Sequence, residues 1–369
     1  MYLQSLQLVN FKNCPSGAFS FEPGVNCFVG ENGAGKTNLL DAIYYLSHCK
    51  SYFNPVDTQN IYHDAPFFVV EGSFVLNDAE DTVYCGVKRG QKKVFKRGGK
   101  EYTRLSEHIG RYPVVIVSPY DKDLVYEGSD VRRKFMDGIL AQYNSLYLDS
   151  LIQYNKALQQ RNALLKYFWE NRRFDAENLD VWDQQLIETG AVLYEARSAF
   201  MEAFTPVFNQ IHERISGGKE DVLLEYDSQL HDASFESLLE SHRDMDRQRQ
   251  HSTAGLHKDD LRFSIDGHPL KKFGSQGQQK TFLIALKLAQ FAFIAEKKGC
   301  KPILLLDDVF DKIDDHRVRH LMELVSENNF GQIFVTDTDL KRVPGIFEAI
   351  GSPGKVFELQ KEPKHVEVQ

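Results

Sequence analysis

Lys36 and Thr37 close the run Gly30-Glu31-Asn32-Gly33-Ala34-Gly35-Lys36-Thr37, a glycine, four residues of any type, then Gly-Lys-Thr. That spacing suits a triphosphate. Glycines let backbone N–H groups close around phosphate oxygens, and a helix starting at the end of the run adds partial positive charge. Lys36 would set a point charge against the β- and γ-phosphates, and the Thr37 hydroxyl would ligate Mg²⁺. Much later, Ile303-Leu304-Leu305-Leu306-Asp307-Asp308 ends an apolar strand in two acids. Asp307 sits where a carboxylate is needed to hold Mg²⁺ through water, and Asp308 where one could polarise an attacking water. Between these motifs, Gly274-Ser275-Gln276-Gly277-Gln278-Gln279 precedes a long apolar-periodic run. Ser275 can cap a helix there, with glycines leaving its first N–H groups open to an anion. Singly, a Ser-x-Gly cap and two acids at a strand end are ordinary; behind a phosphate loop they join the reading of a nucleoside triphosphate site.

The elements that must position these residues are legible from periodicity. Leu6 and Leu8 alternate with polar neighbours, and Val25 to Val29 form a short strand ending at Gly30. Thr37 to His48 is the helix after the phosphate loop. Residues 67 to 76 and 83 to 87 predict strands, and 113 to 119 a short run buried on both faces. From about 131 to 218 apolar residues recur at helical spacing with a polar break near Asn171 to Asn178, which predicts two long helices folded back as a hairpin. Gly217 and Gly218 stop the second. Residues 240 to 254 read as a polar loop. Strands return from Leu261, a long helix ends at Gly299, and two more buried strands follow. The expected class is α/β, with an N-terminal half over 1–130, a helical arm over 131–245 and a C-terminal half over 246–369.

Composition excludes several classes. The chain has 369 residues, 42% hydrophobic and 26% charged, enough to bury a core and too apolar for a disordered chain. A formal net charge of -8 confines any nucleic-acid surface to a local patch. Five scattered cysteines without a C-x-x-C pair fit a reducing compartment and no structural zinc. No signal-peptide core and no stretch of 18 apolar residues is found, so a cytoplasmic protein without a membrane span is expected.

The order of motifs resembles an ABC-type ATPase head, and the quoted segments resemble the RecF family of bacterial recombinational-repair ATPases, which are related to SMC proteins. The resemblance rests on LQLVNFKN at 6 to 13, GENGAGKTNLLDAIYYLS at 30 to 47, SPYDKDLVYEGSDVRRKFMD at 118 to 137 and LQQRNALLK at 158 to 166. It continues through GLHKDDLRF at 255 to 263, FGSQGQQKT at 273 to 281 and LLLDDVFDKID at 304 to 314. The SQGQQ–DDVF combination differs from transporter ATPases, whose signature resembles LSGGQ and whose second acid is usually glutamate. The absence of long heptad arms sets the chain apart from chromosome-organising relatives. A P-loop kinase would need no signature.

The resemblance implies an ABC-type head with an inserted helical arm, binding ATP and Mg²⁺. Gly30 to Thr37 with Asn38 would hold nucleotide, Thr37 and Asp307 the metal, and Lys36 and Asp308 would act in hydrolysis. Ser275, Gly277 and Gln278 would face the triphosphate of a second copy in an ATP-dependent homodimer. Asp314 would lie in a dimer-contacting loop, and Thr336 and Asp337 stand where many relatives carry a histidine. His257, Lys258 and Asp259 belong to a family motif with no derived duty. The implied function is ATP-dependent binding of gapped DNA, single-stranded or duplex, in repair and replication restart. Weak DNA-stimulated ATPase activity, recombinase loading with RecO and RecR, the SOS response and a nucleoid-associated location go with it.

Residues 88 to 104 hold eight Lys or Arg and one acid. Glycine turns predict a β-meander with a basic face, and Lys88, Arg89, Lys92, Lys93, Lys96 and Arg97 are the expected phosphate contacts. Arg132, Arg133 and Lys134 are a second candidate, or pair with acids.

Overall fold

Apolar residues two or three positions apart at the N-terminus dictate a half-buried strand. β1 (Tyr2–Phe11) turns Leu3, Leu6, Leu8 and Phe11 inward, with a register shift between Leu3 and Ser5. It pairs antiparallel with β2 (Cys14–Ser20) and β4 (Phe67–Leu76), and β5 (Ala79–Lys88), β6 (Val94–Arg97) and β7 (Lys100–Glu101) complete a six-stranded sheet in the order β2-β1-β4-β5-β6-β7. The structure, a computed structural model, describes residues 1–309, 330–339, 342–349 and 354–360.

A second sheet is built from the continuous apolar runs. β3 (Val25–Gly30), β8 (Val114–Val117), β12 (Ile303–Leu306), β13 (Ile333–Asp337) and β14 (Lys355–Leu359) lie parallel in the order β14-β3-β13-β12-β8. All but the edge strand β14 are buried almost end to end, as strands covered on both faces must be. Helix α1 (Lys36–His48) leaves β3 through the phosphate loop. Its Leu39, Leu40, Ile43 and Leu46 share one core with Leu6 and Phe68 of the antiparallel sheet and with Phe28, Ile116, Leu305 and Phe334 of the parallel sheet. Truncating any one of these to alanine would cost about 2–5 kcal/mol. This core fixes where the phosphate loop emerges.

The chain divides into two compact units. The first comprises Met1–Asp121, Arg214–Ser216 and the described residues from Lys280 onward; the second comprises Lys122–Glu213 and Gly217–Gln279. The divisions fall at Asp121 and Gln279 rather than at the expected 130 and 245. One cause is that, among the described residues, β9 (Val222–Asp227), β10 (Asp260–Ile265) and β11 (His268–Pro269) pair only with one another, as a three-stranded antiparallel sheet of the second unit.

Helices of the second unit are α2 (Ser129–Tyr143), α3 (Ser145–Glu170), α4 (Ala176–Ser216, its last three residues in the first unit) and α5 (Phe235–Arg249). The first expected long helix is broken at Asn144, whose side chain accepts the Tyr147 N–H at 2.9 Å and caps α3. Gly217, at φ 71°, ends α4 as expected. The expected loop at 240 to 254 is instead largely helical. Ser234 caps α5 by accepting the Ser237 N–H at 3.2 Å, and Phe235, Leu239 and Asp246 are its buried stripe. So narrow a buried face leaves little apolar signal in the sequence.

Charged pairs order the interior of this unit. Arg161 has no exposed surface and pairs with Asp183 at 2.5 Å and Asp246 at 2.6 Å. Arg197 pairs with Asp259 at 2.7 Å and Asp137 at 2.9 Å and donates to the Leu256 carbonyl at 3.1 Å. Removing one partner of such a pair costs about 3–5 kcal/mol because the other charge stays buried. Helix α6 (Gln276–Lys298) has its first four residues in the second unit and the rest in the first, to which α7 (Arg342–Ala349) also belongs. Among the described residues no helix is long and apolar enough to cross a membrane.

Candidate nucleotide site and basic meander

Parallel pairing places the two chemical motifs side by side. β3 and β12 both flank β13, so Gly30, Asp307 and Asp337 all fall at the carboxyl ends of neighbouring strands. That edge is where open α/β sheets bind ligands. Gly30 has φ 152°, and a Cβ there would lie 2.3 Å from the Leu359 carbonyl oxygen of β14. Gly35, at φ 98°, begins α1, and its Cβ would collide with the Asn13 amide at 2.9 Å. These two positions require glycine. The crest of the loop, Glu31 to Gly33, is exposed.

Lys36 is 5% exposed and donates to the carbonyls of Gly30 at 2.6 Å and Glu31 at 3.0 Å. Its ammonium is thereby stationed over its own loop. Asn13 of the chain between β1 and β2 accepts from Asn38 Nδ2 at 2.7 Å and donates to the Gly33 carbonyl at 3.3 Å. Neighbouring Lys12 pairs with buried Asp41 of α1 at 2.6 Å. Asn13 is a positioning residue for the loop that sequence reasoning missed, although it stands in the quoted NFKN segment.

Thr37 Oγ1 donates to Asp307 Oδ1 at 2.8 Å, and Thr336 Oγ1 donates to the same oxygen at 2.9 Å. Thr336 also accepts the Asp308 N–H at 3.0 Å. Thr336 therefore braces both acids. Burial pushes the Asp307 carboxyl up to about 6, opposed by its two hydroxyl donors and by Lys36 and reinforced by Asp308. Asp308 is half-buried at φ 47°, a left-handed conformation costly for a residue with a Cβ. Asp337 does not face this group; it is held by Arg342 at 2.6 and 2.8 Å. Hydroxyl and carboxylate oxygens are the hard donors that Mg²⁺ takes, with remaining positions left to water and phosphate, so Thr37 and Asp307 fit that ion.

Ser275 and Gln278 form a reciprocal capping box at the start of α6. Gln278 N–H reaches Ser275 Oγ at 3.3 Å, and Ser275 N–H reaches Gln278 Oε1 at 2.8 Å. Gln279 is buried, accepting from the Tyr126 hydroxyl at 2.6 Å and donating to the Leu270 and Gly274 carbonyls at 3.2 and 3.1 Å. Ser275, Gln276 and Gly277 face solvent. These signature residues belong to the second unit, and the phosphate loop and acids to the first. Asp314 lies outside the described residues.

His257 and Asp259 prove to be internal struts. Asp259 accepts from Arg197 at 2.7 Å and from the Tyr226 hydroxyl at 2.5 Å, while the His257 ring meets the Tyr154 hydroxyl and the Ser252 carbonyl, both at 3.1 Å. Burial holds His257 down to about 4, hence neutral. Lys258 is exposed.

The basic meander is only partly a free surface. Lys88, Arg89 and Lys92 are exposed. Lys93 turns inward, donating to the Cys49 carbonyl at 2.6 Å and pairing with Asp57 at 2.8 Å. Arg97 pairs with Asp81 at 2.5 Å, and the Lys96 ammonium lies 5.8 Å from the Tyr84 ring centroid. Alternation explains the split. Lys93 and Arg97 lie two residues on either side of buried Phe95, the spacing that puts residues on one side of an extended chain. Of the six residues expected to meet phosphate, Lys88, Arg89 and Lys92 are exposed, while Lys93 and Arg97 each hold an acid. Arg132 is bidentate to Asp260 at 2.6 and 2.9 Å, and Arg133 bonds Ser129 Oγ and the Asp259 carbonyl, each at 2.6 Å, so these two serve the second unit's interior. Exposed Lys134 pairs with Asp130 at 3.2 Å.

Residues 2–343 match the family model described as the RecF/RecN/SMC N terminal domain. The DNA replication and repair protein RecF of Flavobacterium johnsoniae is 50% identical over 359 residues, covering 97% of this chain and 100% of its own. The chain belongs to the RecF family. RecF of Phocaeicola vulgatus is 48% identical, covering 98% of this chain and 97% of its own. A solved structure of the recombination mediator protein RecF with ATP has a TM-score of 0.88 at 28% identity, covering 98% of this chain and 96% of that one. An Smc head domain from Pyrococcus furiosus, at TM-score 0.57 and 18% identity over 98% of this chain and 94% of that one, shares the fold. The α/β ABC-type ATPase head expected for the family is thus the fold of this chain.

Proposed function

We propose that this chain is an ATP-dependent DNA-binding protein of recombinational repair and replication restart. One observation carries the reading: Thr37, Asp307 and Thr336 form a hydrogen-bonded triad at the carboxyl ends of β3, β12 and β13, with Asp308 beside it. The ATP-bound RecF relative supports it. Lys36 would exchange its carbonyl partners for phosphate oxygens, and Thr37 and Asp307 would hold Mg²⁺. When bound, that ion neutralises phosphate charge. Asp308 would accept the proton of the attacking water.

The exposed start of α6 suits the triphosphate of a second copy, because its first N–H groups and partial positive charge attract anions. Two copies would close around two nucleotides, with Lys88, Arg89 and Lys92 of each on DNA at gaps. Weak DNA-stimulated hydrolysis would release the dimer. Assistance to recombinase loading with RecO and RecR, and a part in the SOS response, belong to the same proposal. The test is sedimentation with ATP·Mg²⁺, with and without gapped DNA, for the wild type and for Ser275→Arg. The wild type should shift to dimer and the variant should bind ATP yet stay monomeric. A dimeric variant would refute the two-copy site.

A further inference from the structure

The end of the α3–α4 hairpin holds a cavity of about 630 Å³ that the nucleotide and DNA sites do not use. Its apolar floor is Leu165, Phe168 and Phe174, the two phenyl rings meeting edge-on with centroids 5.5 Å apart. Trp169 stands beside it, 56% exposed. Three guanidinium groups line the cavity, from Arg172, Arg173 and Arg247.

Local structure puts them there. At the end of α3, Arg173 N–H reaches the Phe168 carbonyl at 3.1 Å and Arg172 N–H reaches the Trp169 carbonyl at 3.3 Å. In this helix stop the residue with positive φ is usually glycine, yet here it is Arg172 at φ 49°. The Arg247 guanidinium lies 4.1 Å from the Phe174 ring centroid and 3.2 Å from Asp244. Among the described residues, no carboxylate lies within ion-pairing distance of Arg172 or Arg173.

We propose that this cavity binds a short acidic peptide segment carrying one large apolar side chain. The apolar side chain fills the floor against Phe168, Trp169 and Phe174, and flanking carboxylates bond Arg172 and Arg173. The volume suits such a ligand. Aromatic and arginine side chains around a desolvated centre are the usual anchors of a protein interface, and guanidinium matches carboxylate in a two-pronged bond. Charge selects a peptide over a nucleic acid. Residues 164–180 and 243–249 together hold six basic and six acidic residues, so a long polyanion gains no net attraction across this end. A short segment meets three arginines against Asp244 alone.

Trp182→Phe leaves Trp169 as the only tryptophan of the full chain, which has two. Its fluorescence would be followed on titration with the peptide Gly-Asp-Glu-Asp-Phe-Asp-Glu-Gly. Controls are the Asn/Gln version of that peptide, a version with Gly in place of Phe, and a dT oligonucleotide. The acidic Phe peptide should give a saturable change, at least about tenfold tighter than any control. In the same background, Arg172→Gly with Arg173→Gln should weaken it about tenfold or more. That variant should fold, since glycine relieves the positive φ, and a thermal midpoint no lower than that of the parent would confirm it. Equal binding of a control peptide, tighter binding of dT, undiminished binding by the variant, or no response to about 1 mM peptide would each overturn the proposal.

Discussion

Thr37 Oγ1 donates to Asp307 Oδ1 at 2.8 Å across 270 residues of sequence, tying the start of the helix after the phosphate loop to the end of a strand two places away in the sheet. The bond places the hydroxyl and the carboxylate at one point, where burial alone would make the carboxylate costly. Thr336 supplies a second hydroxyl to the same oxygen at 2.9 Å. An acid held this way is arranged for a cation.

Lys36→Ala should abolish measurable ATP binding at micromolar nucleotide while the protein still melts cooperatively. Among the described residues the lysine hydrogen-bonds loop carbonyls, at 2.6 and 3.0 Å, and its loss breaks no ion pair. Isothermal titration with ATP·Mg²⁺ on the folded variant decides it, and wild-type affinity would move the triphosphate elsewhere.

Asp308→Asn should separate binding from turnover. The shape is kept and the proton acceptor lost, so hydrolysis should fall by about 10²-fold or more while ATP still binds. Asparagine also tolerates the left-handed conformation at φ 47°, so little strain is added. Single-turnover hydrolysis is the measurement; an unchanged rate would assign the water to another group.

Changing Lys88, Arg89 and Lys92 to Ala should weaken DNA binding without regard to sequence, because phosphate contacts position rather than specify. With about -0.9 per phosphate contact on duplex DNA, the plot of log affinity against log salt should flatten by roughly 2 to 3 units per subunit. Lys93→Ala serves as contrast. It removes the partner of Asp57 at 2.8 Å, so stability rather than the salt slope should change. An unaltered slope in the triple variant would make this face a solvated hairpin.

Acid should loosen the first unit through His108, which is fully buried. Its Nε2–H donates to the Leu46 carbonyl at 2.6 Å, leaving Nδ1 to accept from the Tyr102 hydroxyl at 3.1 Å, so the ring is neutral. Burial lowers it from 6.5 to about 4. The unfolded chain therefore takes up the proton first. Stability is complete above about pH 6.5 and falls as pH drops towards 4, by at most about 3 kcal/mol for this one group. Urea midpoints at pH 7 and pH 4.5 should differ less in His108→Gln, provided that variant folds at pH 7. Equal differences would place the acid sensitivity elsewhere.

Sequence by itself determined the elements with a strong period and the motifs whose function is local. The strand at 67 to 76, the buried runs of β8, β12 and β13, the phosphate loop and the cap at Ser275 depend on neighbours in the chain, and alternation or helical spacing records them. Tertiary structure decided what depends on distant partners. Nothing local in residues 88 to 97 shows that Lys93 is spent on Cys49 and Asp57 while Lys92 is exposed; only the burial of Phe95 selects the face. Helix α5 was hidden because one narrow stripe of a polar segment is buried. Thr336 carries no motif of its own, and parallel pairing of β13 beside β12 is what brings its hydroxyl to Asp307. Charge and period are properties of the chain, whereas which charge meets which is a property of the packed sheet.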